Sequence, residues 1–398
     1  MRVQQPNVCS NIFSYVNLRQ ETTSTRISDD FKSSFSALRL PEAMRENELA
    51  FGEYDKIFAA EWLNEDHIIC GTKCNNLIVQ NITSQSKWEI PLMKDSGHIP
   101  IPDKNCGIHS ISKNENNTKL ATGALNPNSI GFYRLPSLEP ICLGEFHTDW
   151  MFSSAWINDN TLATGSRDNR LAFWTIPDEI PHSENDEGER GKLYPIVQPV
   201  QHFQGVGNKD KVRAMVYNSL SGHLATIASN GYLHLWDVNT CQRTMTTTLP
   251  FMKENVCIAH EKKNNLLYAV GSLSHVSLVD THGGKSVASL CSSEQGAGVR
   301  SVSFNDCIVT VGTGYGSLLF YDIRMNRLLQ RQDGTQCQLK VGHGWLRRDL
   351  VYQQYFWEAE CYPNAIYAHS YHPTTMKLLS AGGPLALGLY GNYLAYWD

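Results

Sequence analysis

Four groups of residues in this chain have types and spacing that could do chemistry. His147, Ser166 and Asp168 supply the base, nucleophile and acid of a hydrolase triad. Their surroundings argue against that use, because no GxSxG elbow or other motif exposes the serine. Cys70 and Cys74 form a C-x3-C pair that could start a metal site, but no second pair lies nearby. Gly312 to Gly316 (GTGYG) is glycine-rich, yet it bridges two apolar runs and opens no helix that could cradle a phosphate. No metal and no cofactor is therefore expected. The fourth group is basic: Lys56, Lys73, Arg167, Lys211, Arg213 and Arg300, in a chain whose formal net charge is −5. Basic side chains that converge would bind a compact anion through charge-assisted hydrogen bonds.

The elements that must position these residues come from a repeat. An apolar run, a small-residue turn and a second run rich in aromatics recur seven times, as in His67 to Val79 (HIICGTKCNNLIV) and Ile308 to Tyr321 (IVTVGTGYGSLLFY). Ahead of each copy lies another short strand, opening at Lys56, His109, Met151, Arg213, Asn255, Arg300 and Tyr367. By subtraction the openings are 53, 42, 62, 42, 45 and 67 residues apart. The short intervals match the roughly 40–45 residues of a four-stranded propeller blade. The sequence therefore predicts an all-β, seven-bladed β-propeller over 41–398, preceded by an N-terminal arm, 1–40. The long intervals mark insertions at about 177–210, including the polar run SENDEGERGK, and at about 325–362, whose apolar bulk (Trp345, Tyr352, Tyr355, Phe356, Trp357) is expected to pack down. The last blade reaches only a third strand at Trp397-Asp398, so a segment near Glu48 to Phe51 is expected to close the ring. The arm holds a short apolar cluster, Asn11 to Asn17, and a Ser/Thr-rich stretch expected to order on a partner.

In a propeller, each first strand opens on one face and the turn between second and third strands returns there. Lys56, Arg213 and Arg300 are at strand openings, and Lys73 and Arg167 are in returning turns. Lys211 sits two residues before Arg213, on the same side of a regular strand. All six are thus expected around one mouth of the central channel, with His109 as a weaker addition at its own opening.

The third blade carries His147, Thr164, Ser166, Asp168 and Trp174 at the spacing of the hydrogen-bonded network of WD repeats, and the chain resembles that superfamily from about Leu49 onward. Longer runs (KIFAAEWLN, CGTKCNNL, VGTGYGSLLFYDIR and AGGPLALGLYGNYLAYWD) resemble the DDB/cullin-four-associated factors, the substrate receptors of cullin-four RING ubiquitin ligases. The resemblance implies a structural role for His147, Thr164, Asp168 and Trp174 and a non-catalytic protein. It implies that the ligands are proteins whose C-termini end in two glutamates, bringing three negative charges. The basic residues above then form the substrate pocket. Asp322 and Arg324 resemble the WD-x-R box that docks on the cullin adaptor of the DDB family, with Tyr321 in place of Trp. The arm is a second expected adaptor contact. The competing reading is a WD-repeat scaffold that reads acidic or phosphorylated peptides without ubiquitin transfer.

Bulk properties agree with this class. A hydrophobic share of 41% suits a sizeable core, and the net charge gives no general attraction to nucleic acid or to an anionic membrane. Eleven cysteines, an odd count scattered through strands, suggest a reduced cytosolic or nuclear setting. Met1 to Phe13 shows no cationic start followed by an apolar run, so no signal peptide is read there, and no run is apolar and long enough to span a bilayer.

Overall fold

The computed structural model of the protein describes residues 7–9, 25–27, 37–39, 41–97, 106–178, 194–204, 211–263, 265–292, 294, 296–357 and 362–398. Seven antiparallel sheets follow one another as blades. Their first strands are Ile57–Trp62, Ile111–Lys113, Met151–Trp156, Val212–Asn218, Cys257–His260, Val299–Asn305 and Asn364–Tyr371. These strands pack side by side, and the last lies against the first, so the ring is closed.

The second and third strands of each blade are covered on both faces by neighbouring blades. Ile308–Thr313 and Ser317–Asp322, for example, are buried at every position. That double burial is why they read as continuous apolar runs rather than alternating ones. Outer strands such as Gln242–Thr248 face solvent and are polar. The core is accordingly a ring of wedges between blades. The wedge between blades seven and one joins Leu379, Ala381 and Leu394 to Ile57, Trp62, Ile68 and Ile78.

Glycine in the second strand sets the spacing of the wedges. A Cβ built on Gly165 would lie 2.3 Å from Val212 of the next blade, and one on Gly271 would lie 2.6 Å from Val299. Only a bare backbone admits those apolar residues. Gly71 against Ile108 and Gly312 against Ile366 repeat the arrangement.

The closing strand is Glu46–Glu48, paired with Ala395 to Trp397. It lies two residues earlier than the sequence places it, because Leu49 and Phe51 are buried in the wedge between blades seven and one. The inner part of that edge pairs instead with Trp345–Leu346. The segment 325–362 is therefore partly sheet: Arg327–Leu328 and Gln338–Lys340 share the outer edge of blade six. Its apolar residues do not all pack down. Tyr355, the last residue of the short helix Leu350–Tyr355, and Trp357 just beyond it are exposed, while Phe356 packs on Tyr362. Within 177–210, Gln201–Gln204 is the outer strand of blade three, and Ile196–Val197 adds a parallel strand to blade two. The run SENDEGERGK lies outside the described residues, as does the cluster Asn11 to Asn17. In the arm, Asn7–Cys9 pairs with Thr25–Ile27. Ala37 is buried with Met44 between blades six and seven. The packed part of the chain thus begins a few residues before Leu40.

Removing residues 1–51 should destabilise the protein, since Phe51 alone fills space worth about 3–5 kcal/mol in a core. Removing 1–36 should leave the midpoint of thermal unfolding close to that of the full chain. Equal melting of the 1–51 deletion and the full chain would mean that ring closure does not depend on this segment.

Candidate functional site

The site begins with the strand openings. In five blades the first strand carries a β-bulge at its second or, in the last blade, its fourth residue, between Ile57 and Ala59, Met151 and Ser153, Val212 and Ala214, Val299 and Ser301, and Ile366 and Ala368. The extra residues are Phe58, Phe152, Arg213, Arg300 and Tyr367. A bulge re-aims its side chain away from the sheet's alternation. These five, with His109 and Val256 from the remaining blades, line one cavity of about 570 Å³ at the channel. Each blade thus contributes one residue to the ring.

Part of the ring is a continuous aromatic wall. Phe58 stacks on His109 at 4.6 Å and meets Tyr367 edge-on at 5.1 Å, and His109 meets Phe152 edge-on at 5.0 Å. The Arg213 guanidinium lies 4.1 Å over Phe152, which fixes its plane and adds a cation–π attraction. Burial holds His109 neutral, with its pKa pushed down to about 3, and the charge of Arg213 adds to the effect. His109 is therefore an aromatic wall of the site and not one of its cations. Burial also lowers the Arg213 pKa, followed by the nearby charges of Arg300 and Arg167. Among the described residues Arg213 has no carboxylate partner within 4 Å.

A second bay of about 480 Å³ adjoins the first through Phe152, Arg213, Glu254 and Val256, and adds Trp150, Arg167 and Lys211. Arg167 lies 4.8 Å over the Trp150 ring and 3.5 Å from Asp149. Arg300 reaches Glu254 at 3.0 Å and donates from Nε to the Ala297 carbonyl at 3.2 Å. The structure thus brings together four of the six expected cations: Arg167, Lys211, Arg213 and Arg300.

Lys56 and Lys73 are placed differently. Lys56 is buried, with its Nζ donating to the Leu389 carbonyl and lying 3.4 Å from Asp55. Its opening position is one residue before the packed Ile57 and two before the bulge, so it points into the join of blades seven and one, against Gly383. Lys73, at the rim, pairs with the other Asp55 oxygen at 3.0 Å. Burial opposes ionisation of Asp55, but Lys56 and Lys73 together hold its carboxyl below the usual range. Lys56 is thus part of a structural ion cluster, and Lys73 guards the rim beside it.

Sequence reasoning missed the aromatic wall and the carboxylates Asp55, Asp149 and Glu254. It also missed Arg347, which lies 4.2 Å over Tyr390 near Cys74. The aromatics had one signal, their place immediately after the apolar residue that opens each strand. Bulges have no comparable mark in sequence.

The blade-three network forms as its spacing implies. His147 is 3.1 Å from Asp168 and 2.8 Å from the Thr164 hydroxyl, and the Trp174 indole donates to the same hydroxyl at 2.8 Å. Ser166 donates to the Asp149 carbonyl and accepts from the Asp168 amide. No His147–Ser166 contact exists to activate a nucleophile. Cys70 is buried inside its strand while Cys74 is exposed, so the two do not share a site.

Asp322 and Arg324 lie at the far end of blade six from Arg300. Arg300 is beside Val299, which pairs with Thr313, whereas Asp322 pairs with Ile308 at the other end. Six residues of strand separate the two ends by about 20 Å. Asp322 is buried and accepts from the Arg324 amide at 2.8 Å and from its Nη2 at 3.3 Å. Asp322 holds the turn, so only the half-exposed Arg324, with Met325 beside it, presents to solvent.

These features define a WD-type, seven-bladed propeller with an aromatic-walled, cationic mouth at one end of its channel. A family model described as the DDB1- and CUL4-associated factor 12 beta propeller matches residues 40–398. The chain belongs to that family.

Acid should destabilise the fold through its neutral buried histidines. His109 and His369, the latter held between Ser301 and Ser303 with a pKa pushed down to about 4, take up protons near pH 6.5 only when unfolded. Their contribution is complete above pH 6.5 and is lost as pH falls below it. The unfolding midpoint of His109→Phe should fall less between pH 6.5 and 4.5 than that of the parent. Parallel curves would show that His109 is protonated in the folded state.

Proposed function

We propose that the protein is the substrate receptor of a cullin-four RING ubiquitin ligase. It binds protein C-termini ending in two glutamates at the cationic mouth and docks on the DDB1 adaptor through the opposite face. The observation that carries the reading is the pair of guanidiniums, Arg213 and Arg300, aimed by bulges into one aromatic-walled cavity. The aromatic wall excludes water, which strengthens each ionic contact with a carboxylate. Arg167 and Lys211 extend the positive field into the adjoining bay. Three acidic groups at one chain end match that density of charge better than an isolated side chain does.

The protein itself does no bond chemistry in this reading. Its contribution is proximity, because holding a substrate beside a ubiquitin-charged partner raises the effective concentration of the attacked lysines. Binding at one face and docking about 20 Å away at the other lets both partners be held together. Arg324 and the arm are the proposed adaptor contacts, with Asp322 positioning Arg324. Reducing compartments of the cell, cytoplasm or nucleus, suit the free cysteines.

One reciprocal experiment tests both faces. Arg213→Glu or Arg300→Glu should abolish binding of a peptide ending in Glu-Glu and spare co-purification with the adaptor, since a reversed charge in a partly desolvated site costs several kcal/mol. Arg324→Ala should do the converse. Amidating the peptide's terminal carboxylate should weaken it strongly. Equal binding of an amidated peptide would favour a scaffold that reads acidity generally, and loss of the peptide with Arg324→Ala would invert the faces.

A further inference from the structure

We infer that Glu254 is a built-in competitor for the anion site, a side chain that occupies Arg300 until an incoming carboxylate displaces it. The inference rests on the proposed reading of the mouth as a carboxylate site. Glu254 belongs to both the inner cavity and the adjoining bay, and it puts a negative charge where an acidic ligand would go. Its carboxylate is 3.0 Å from Arg300 Nη2, with the Glu254 side chain 48% exposed and that of Arg300 19%. The exposed partner of the pair is therefore the one free to swing away.

The three carboxylates of the mouth differ in this respect. Asp55 is buried, binds two lysines and accepts from the Gly391 amide. Asp149 is half-exposed, but it accepts from the Trp150 amide at 2.8 Å. Glu254 is held by Arg300. It also sits on a backbone with φ of 55°, a left-handed conformation that non-glycine residues adopt at a cost.

Arg300 does not need Glu254 for its position. Its Nε already donates to the Ala297 carbonyl. The missing Cβ of Gly298, at φ 76°, leaves room for the guanidinium, which would lie 3.1 Å from such an atom. The arginine is thus pre-set by its own chain, and the glutamate is an occupant of the site rather than its support. The consequence is a threshold. A ligand gains at Arg300 only what exceeds the contact it displaces, so tails with several carboxylates are favoured over stray acidic groups.

The test is a mutant cycle on the full chain, read by fluorescence anisotropy with a labelled peptide ending in Glu-Glu and by calorimetry with glutarate. Glu254→Gln should tighten binding of either probe by up to about fivefold, the range of a partly exposed ion pair. The gain should vanish in an Arg300→Gln background, because the two residues act as one unit. A gain only with glutarate, with no peptide binding in any variant, would sink the reading of protein tails and leave the competitor in place. Weaker binding with Glu254→Gln, an unchanged affinity, or the same gain in both backgrounds would overturn the inference. If Glu254→Gln does not fold, Glu254→Gly, which suits the left-handed backbone, carries the same test.

Discussion

One packing constraint underlies both fold and site. At the start of four blades an apolar residue (Ile108, Val212, Val299 or Ile366) enters a notch left by a glycine in the preceding blade. A methyl group at any of these glycines would meet it at 2.3–2.9 Å. The contact fixes how close neighbouring blades stand, and it fixes which residue comes next. The next residues are His109, Arg213, Arg300 and Tyr367, and all four line the channel. For the last three the bulge completes the turn inward. The mouth is thus built by backbone geometry, on strand ends held by the core, rather than by long loops. Such support keeps charged groups converged without their having to attract one another.

The electrostatics follow from that geometry. Burial lowers the Arg213 pKa, and the nearby charges of Arg300 and Arg167 lower it further, because guanidiniums brought this close repel. The fold offsets the repulsion with three carboxylates: Asp55 under Lys56 and Lys73, Asp149 beside Arg167, and Glu254 on Arg300. Within the mouth four cations, Arg167, Lys211, Arg213 and Arg300, face two acids, Asp149 and Glu254, so positive charge is left over for an acidic tail to neutralise. Burial keeps His109 neutral, so this residue adds no charge to the mouth.

The architecture was legible in the sequence because a blade's inner strands are buried on both faces, which turns each into an apolar phrase of fixed length. The WD network was legible because His147, Thr164, Asp168 and Trp174 bond within one blade, where spacing maps directly to distance. The mouth was legible only in outline. Arg213 and Arg300 are where the strand-opening argument puts them, but the same argument put Lys56 in the channel. An opening lysine one residue before the packed Ile57 turns into the core instead. Regular alternation would also aim Lys211 and Arg213 alike, yet the bulge at Arg213 sends it to the inner cavity while Lys211 reaches only the outer bay. The carboxylates went unseen because pairing with the cations depends on contacts between blades and loops.

A structure of the full chain bound to a peptide ending in Glu-Glu tests the central claim most directly. The expected result places the tail's carboxylates on the Arg213 and Arg300 guanidiniums, against the wall of Phe58, His109 and Phe152. A tail bound wholly outside that cavity, with both arginines still in their unliganded contacts, would contradict it.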